Sequence, residues 1–154
     1  MNLGIKNKNV LITGASQNIG KSIAINMARE GCNIAICARN KEKLYDVVSE
    51  MKQYGGGYHS INIDLRSKKG PSQLIKELGL KNFIPDIVIH NLGGSLQITS
   101  QDFSREEFAD VWQFNIGIAH EINKELIPNM IQNKWGRIIH VSSLSAKTAK
   151  GYVP

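Results

Sequence analysis

Five short apolar runs recur along the chain, and longer stretches of helical periodicity separate them. A short continuous apolar run is typical of a strand buried on both faces, whereas apolar side chains three and four residues apart are typical of a helix packed on one face. Strands are predicted at residues 9–13, 33–38, 58–64, 86–91 and 136–143. Helices are predicted at 19–30, 41–54, 73–78 and 105–132, the last with a bend or break at Pro128.

This alternation of strands and helices predicts a parallel sheet, because parallel neighbours need a crossover connection between them. Right-handed crossovers place helices on both faces of the sheet. The most economical arrangement is a doubly wound α/β Rossmann sheet with strand order 3-2-1-4-5. A length of 154 residues at 42% hydrophobic content fits a single Rossmann domain over 1–154.

Composition narrows the function classes. The net charge of +6 comes from scattered lysines, which indicates a solvated surface rather than a nucleic-acid interface. The excess of positive charge also suits an anionic ligand such as a phosphorylated cofactor.

No stretch predicts a membrane span and the opening residues do not resemble a signal peptide, so we expect a soluble, cytoplasmic protein. Cys32 and Cys37 lack metal-site or redox spacing and are predicted to be reduced thiols in or beside a buried strand; no metal site is predicted.

The segment TGASQNIG, residues 13–20, lies directly between the first predicted strand and helix. Backbone N–H groups at the start of a helix, together with its dipole, form an anion site suited to a pyrophosphate. Gly14 and Gly20 allow the tight turn and the close approach of a ligand, and Asn18 tolerates positive φ better than most residues. Ser16 and Ile19, in the same turn, are predicted to contact the cofactor with them.

Four further motifs follow in register with the predicted elements. They are Asp64 in NIDL, Asn91 and Gly93 in HNLGG, Asn115 in QFNIG and Ser143 in HVSS. With the glycine turn, they resemble the N-terminal portion of a classical short-chain dehydrogenase/reductase, whose glycine pattern is T-G-x-x-x-G-x-G. The chain departs from the family at Asn18, His90 and Leu92.

The resemblance implies roles for these residues. Asp64 and Leu65 would contact the adenine, and Asn91 and Gly93 would line the rest of the cofactor site. Catalytic roles would fall to Ser143, which polarises the substrate oxygen, and to Asn115, which holds a water in the proton path. His90 is better interpreted as a packed histidine than as a base.

The end of the second strand bears on the choice between NADP(H) and NAD(H). A carboxylate there would hold the ribose hydroxyls of NAD and repel a 2′-phosphate. The sequence has Arg39 instead, whose guanidinium fits a phosphate, so NADP(H) is favoured while NAD(H) stays possible. Gln17 occupies the place where the family often has a second arginine, and the alternative for Arg39 is a solvent-facing loop residue.

The expected activity is hydride transfer between a nicotinamide and a carbonyl or alcohol substrate, made by an NADP(H)-dependent oxidoreductase. The family's Tyr-x-x-x-Lys motif is absent from the 154 residues and would fall just beyond Pro154; Tyr152 has no lysine four residues on. We therefore expect a sheet incomplete on its C-terminal side, a chain that is part of a longer protein, and little activity from these residues alone. The alternative is a non-catalytic dinucleotide-binding protein.

The long helical region carries more apolar side chains than one buried face needs, among them Trp112, Phe114 and Ile116. In the family this helix pairs with its copy in a neighbouring subunit. A homodimer or a tetramer is therefore expected.

Overall fold

A computed structural model describes residues 3–98 and 102–144 as a five-stranded sheet flanked by helices. The strands are β1 Asn9–Thr13, β2 Asn33–Ala38, β3 Tyr58–Asn62, β4 Ile87–His90 and β5 Arg137–His140. Every neighbouring pair is parallel, and the order across the sheet is β3-β2-β1-β4-β5. The predicted doubly wound order is confirmed.

Three strands end earlier than predicted, and this matters for the site. β3 ends at Asn62, β4 at His90 and β5 at His140, so that Asp64, Asn91 and Ser143 lie in the loops beyond them. Ligands of open parallel sheets bind outside the carboxyl ends of the strands. The motif residues therefore lie at the edge where such a ligand would sit.

The helices are α1 Asn18–Arg29, α2 Lys41–Met51, α3 Gly70–Leu80, α4 Arg105–Trp112 and α5 Ile118–Gln132. A 3₁₀ turn over Lys52–Tyr54 continues α2 to the predicted end of that helix. α3 begins three residues earlier than predicted, because Pro71 lies in its first turn, where a missing N–H costs nothing.

The sequence predicts a bend or break at Pro128, and the structure shows that the helix is not broken there. α5 runs through Pro128, which is exposed, so the carbonyl that loses its partner can be hydrated. The departure from α geometry lies instead at Gln113–Gly117, a π-helical segment that joins α4 to α5. Such segments often occur at functional sites, and this one contains Asn115.

Each face of the sheet has its own apolar core. Ile12 and Ile36 pack with α1 and α2 on one face, whereas Leu11 and Val88 pack with α3 and α5 on the other. Alternate residues of one strand thus serve opposite cores, which explains the continuous apolar runs. On α1, Ala24 and Ala28 are buried, whereas Ile19 in the first turn is 61% exposed.

Both cysteines are free thiols in buried surroundings, as predicted. Cys37 lies within β2, where burial raises the pKa of its thiol to about 12, and Cys32 immediately precedes that strand. A thiol with so high a pKa is a poor nucleophile. Among the helices of residues 3–98 and 102–144, none is both long and apolar enough to cross a bilayer.

Candidate cofactor and active site

A cleft of about 980 Å³ opens at the carboxyl edge of the sheet. Its size is at the upper end of ligand pockets, which commonly measure about 300–1,000 Å³. All ten residues predicted to contact the cofactor line it: Gly14, Ser16, Asn18, Ile19, Gly20, Arg39, Asp64, Leu65, Asn91 and Gly93. The two predicted catalytic residues, Asn115 and Ser143, are not among its lining residues.

The turn between β1 and α1 forms the floor of this cleft. Gly14 has φ +67°, and its N–H donates to the carbonyl oxygen of Cys37 at 2.9 Å. Asn18 has φ +50°, the left-handed conformation that its sequence position predicts. Because asparagine enters this region more readily than most residues, the turn keeps its course without a glycine there.

The first turn of α1 is open to an anion. Gln17, the N-cap residue, makes no side-chain cap hydrogen bond, and the first turn contains no acidic residue. The first N–H groups of a helix have no partner within the helix, and its dipole places partial positive charge there. A pyrophosphate at this position would therefore meet unsatisfied donors and no carboxylate from that turn.

Asn91 ties the loop after β4 to the glycine turn. Its side-chain amide donates to the carbonyl oxygens of Thr13 at 3.3 Å and Gly14 at 3.0 Å. In return the Thr13 hydroxyl accepts from the backbone N–H groups of Asn91 and Leu92, at 3.1 and 3.2 Å. Thr13 is not among the predicted site residues. Its place as the first residue of the glycine pattern is the feature of the sequence that could have identified it.

The Asp64 carboxylate interacts with Arg66, a residue that is not among the predicted site residues. The carboxylate accepts from the backbone N–H of Arg66 at 3.0 Å and pairs with that guanidinium at 3.3 Å. Partial burial alone would raise the pKa of the Asp64 carboxyl, but the hydrogen bonds and charge of Arg66, with the charge of Arg39, outweigh it and hold that pKa below its usual value. The carboxylate is therefore charged and oriented at neutral pH.

Arg39 lies where β2 runs into α2. Its side chain is exposed, and its guanidinium makes no hydrogen bond to the rest of the described chain. Its backbone is held in place, because the Asn62 amide donates to the carbonyl oxygens of Ala38 at 3.2 Å and Arg39 at 2.8 Å. A positioned backbone with an uncommitted cation suits the recognition of an anionic group.

Asn115 orders the turn at Gly93 and Gly94, in the loop after β4. Its amide donates to the carbonyl oxygens of Gly94 and Val111, both at 2.8 Å, and its Oδ1 accepts from the N–H of Gly94 at 2.9 Å. A Cβ on Gly93 would lie 2.7 Å from this oxygen, so the turn needs glycine there. The side chain thus braces the backbone that borders the cleft.

Ser143 is exposed in the segment that follows β5. The N–H of Val141 donates to the carbonyl oxygen of His90 at 2.9 Å, so the pairing with β4 continues just past the strand. Ser143 therefore emerges at the same edge as Asn91. Tyr152, which has no lysine four residues on, lies outside the described residues.

His90 is a packed residue, as predicted. It is 5% exposed, its Nε2 lies 2.8 Å from Oδ1 of Asn123, and its ring stacks on His140 with centroids 4.8 Å apart. Burial lowers the pKa of His90, and the charge of His140 lowers it further, against the hydrogen bond to Asn123, which raises it. The imidazole is held between the sheet and α5.

Comparison with known proteins decides the family. A sequence profile described as short chain dehydrogenase matches residues 8–153. The chain belongs to the short-chain dehydrogenase family. The cleft at the carboxyl edge is lined by the residues that match this family's cofactor motifs.

Three members of the short-chain dehydrogenase family illustrate the likeness. The NADPH-dependent pterin aldehyde reductase of Arabidopsis thaliana is 29% identical over 88% of this chain and 56% of its own length. The structure of L-sorbose reductase from Gluconobacter frateurii with NADPH and L-sorbose has a TM-score of 0.91 at 27% identity, over 100% of this chain and 59% of that one. An NAD⁺-bound xylitol dehydrogenase has a TM-score of 0.84 at 25% identity, over 97% and 58%.

The chain spans about half the length of the short-chain dehydrogenases it matches, from 48% to 57% for the curated relatives. Of the family's catalytic groups, its 154 residues contain matches to the serine and the asparagine, and no Tyr-x-x-x-Lys.

Proposed function

We propose that the protein is an NADP(H)-dependent short-chain oxidoreductase that transfers a hydride between a nicotinamide and a carbonyl or alcohol substrate. The chain supplies the cofactor-binding half of the site. The observation that carries this proposal is the convergence of all ten predicted cofactor contacts on one cleft, although they come from four separate loops.

The cleft fits a dinucleotide in shape and charge. The uncapped start of α1 suits the pyrophosphate, and the glycines of the β1–α1 turn leave room for its close approach. Leu65 offers an apolar surface for the adenine, and the backbone after Asp64 offers polar groups. Gly93 and the turn braced by Asn115 border the side where the nicotinamide would lie.

The preference for NADP(H) rests on Arg39. Residues 39–41 are Arg, Asn and Lys, so no carboxylate directly follows β2 to hold ribose hydroxyls. Two of the relatives named above are described with NADPH, which supports this choice. The xylitol dehydrogenase is described with NAD⁺, so the experiment must compare both cofactors.

The proposed chemistry assigns a task to each residue present. A bound nicotinamide would supply or accept the hydride. The Ser143 hydroxyl would donate a hydrogen bond to the substrate oxygen and so polarise the carbonyl. Asn115 would keep the Gly93–Gly94 turn in register and take part in the proton path that the family resemblance implies.

A non-catalytic dinucleotide-binding protein is the second candidate. The observation that favours it is that neither Asn115 nor Ser143 is among the residues that line the cleft. Both candidates predict cofactor binding, but only the first predicts turnover by the whole protein. NADPH oxidation with aldehyde and ketone substrates separates them.

The cofactor preference is tested by titration of the chain with NADPH and NADH. We expect NADPH to bind at least about tenfold more tightly, and Arg39→Ala to remove most of that difference, because a charge-assisted pair to phosphate is lost. Arg105→Ala, at the exposed start of α4, is the matched control. Tighter binding of NADH, or unchanged NADPH affinity in Arg39→Ala, would reject the preference.

Two further properties belong to this proposal. A dimer or tetramer is supported by the half-exposed side chains of Phe108, Trp112 and Ile116, which form one stripe. A cytoplasmic location is supported by the two unpaired buried thiols, which suit a reducing compartment.

A further inference from the structure

The glycine turn and α2 are joined by one side-chain contact at the cleft. Nζ of Lys43, in the first turn of α2, donates to Oε1 of Gln17 at 2.6 Å. Both residues line the cleft, and so does Arg39. The ammonium of Lys43 is thus brought from a neighbouring helix to the N-cap position of α1.

This contact places a charge where the glycine turn itself has none. Gln17 occupies the position at which a second arginine is often found in this family, and its neutral amide offers only weak recognition of a phosphate. An ammonium at the same place is a compact cation with three donors, of which Gln17 uses one. The two remaining donors are available to an anion.

We propose that Lys43 is a specificity-determining residue that forms, with Arg39, a two-cation clamp for the 2′-phosphate of NADP(H). The inference rests on the proposed function and deepens it. Gln17 is then a positioning residue, because its oxygen holds the ammonium over the cleft instead of leaving it in solvent. In effect α2 supplies the second cation that the glycine turn lacks.

The backbone beneath both cations is fixed by side-chain hydrogen bonds. Oδ1 of Asn40, the N-cap of α2, accepts from the N–H of Lys43 at 2.8 Å. The Asn62 amide secures Arg39 by its carbonyl oxygen at 2.8 Å. Both side chains therefore start from defined points at the junction of β2 and α2, which lowers the entropy lost when they close on one phosphate.

The charge balance of the cleft favours a phosphorylated ribose. The charged lining residues are four cations and two carboxylates: Arg39, Lys41, Lys43 and Arg66, with Glu42 and Asp64. Asp64 is already paired with Arg66, so it adds little repulsion. Lys43, which contacts Gln17, and Arg39 are left to meet the additional phosphate.

The test uses adenosine 2′,5′-diphosphate and 5′-AMP as probes, which differ in the 2′-phosphate alone. Calorimetric titration of the chain should give Kd values for both. For Lys43→Gln we expect the Kd of the 2′,5′-diphosphate to rise about tenfold, as for loss of one hydrogen bond to a charged group, and that of 5′-AMP to stay within about twofold. Lys52→Gln, an exposed lysine just past α2 and outside the cleft lining, should match the wild type for both probes.

A second variant asks whether the position of the charge is what matters. Gln17→Arg combined with Lys43→Gln restores a cation at the same place from the glycine turn, and it should recover most of the lost affinity for the 2′,5′-diphosphate. Equal weakening of both probes by Lys43→Gln, or no weakening of either, would overturn the role of Lys43. If the wild type itself binds 5′-AMP as tightly as the 2′,5′-diphosphate, the proposed NADP(H) preference fails instead, and the clamp with it.

Discussion

The side-chain amide of Asn91 donates a 3.0 Å hydrogen bond to the carbonyl oxygen of Gly14 and fills the space beside Gly20. A Cβ on Gly20 would lie 2.5 Å from both that amide nitrogen and that carbonyl oxygen. The loop after β4 and the glycine turn after β1 therefore form one packed unit. Gly20 is required by this packing as well as by the approach of a ligand.

Gly20→Ala should damage the site because neither neighbour can yield without breaking the bond between Asn91 and Gly14. We expect a loss of about 1–3 kcal/mol in the free energy of unfolding, as for other overpacked interiors, and weaker binding of NADPH. Gly79→Ala is the control, since Gly79 is also helical and a Cβ added there would have no other atom within 4 Å. That control should gain about 0.5–1 kcal/mol, because alanine is the better helix former.

Substitution of Asn18 tests whether its left-handed backbone is needed. Asn18 has φ +50° at the start of α1, so Asn18→Gly should fold normally, whereas Asn18→Val should cost about 1–2 kcal/mol because the two methyl groups on its branched Cβ crowd the left-handed backbone. Denaturant unfolding measures both changes. Ser22→Val, exposed on the same helix, corrects for helix propensity; an equal effect at Ser22 and Asn18 would contradict the argument.

The strands and the cofactor cleft could be predicted because their causes are local. Two-sided burial produces continuous apolar runs such as those around Ile34 and Val88, and the carboxyl-edge rule places any residue that follows a strand at the ligand side. These two rules place Asp64 and Asn91 at that edge, whereas their expected roles toward the cofactor came from the resemblance to the short-chain dehydrogenase family. Strand ends were less predictable, since Ile63 is apolar and yet lies beyond β3.

Other features depend on contacts between distant residues and were not predictable. The π-helical segment surrounds Asn115, whose side chain is bonded to Gly94, 21 residues away. The contact of Lys43 with Gln17 spans 26 residues. Neither leaves a periodic pattern in the sequence, because each depends on how two loops meet in the folded chain.

The apolar stripe on α4 and the π segment should govern self-association. Phe108, Trp112 and Ile116 follow one another at intervals of four residues and are 51%, 52% and 50% exposed. Trp112→Glu would place a charge in the centre of a buried contact, so we expect the molar mass from light scattering to fall from a dimer or larger to a monomer. Tyr45→Glu, at a side chain 65% exposed on α2, should leave the mass unchanged; the opposite pattern would place the contact on α2.

His90 should make the stability of the chain dependent on pH. Burial holds its pKa below the ordinary value of about 6.5, so between the two values the unfolded chain binds more protons than the folded one. The stabilisation is complete above about pH 6.5 and is lost as the pH falls toward the folded pKa. The free energy of unfolding, measured from pH 7.5 to 5, should therefore decline with acidification.

Replacement of His90 identifies the residue responsible. His90→Asn keeps a polar side chain next to Asn123 but does not titrate, so the decline in the free energy of unfolding below about pH 6.5 should become shallower. His140→Asn removes the neighbouring charge that also lowers the pKa of His90, and it should reduce the decline only in part. If His90→Asn lowers stability equally at every pH and leaves the slope as in the wild type, the titration belongs to another group.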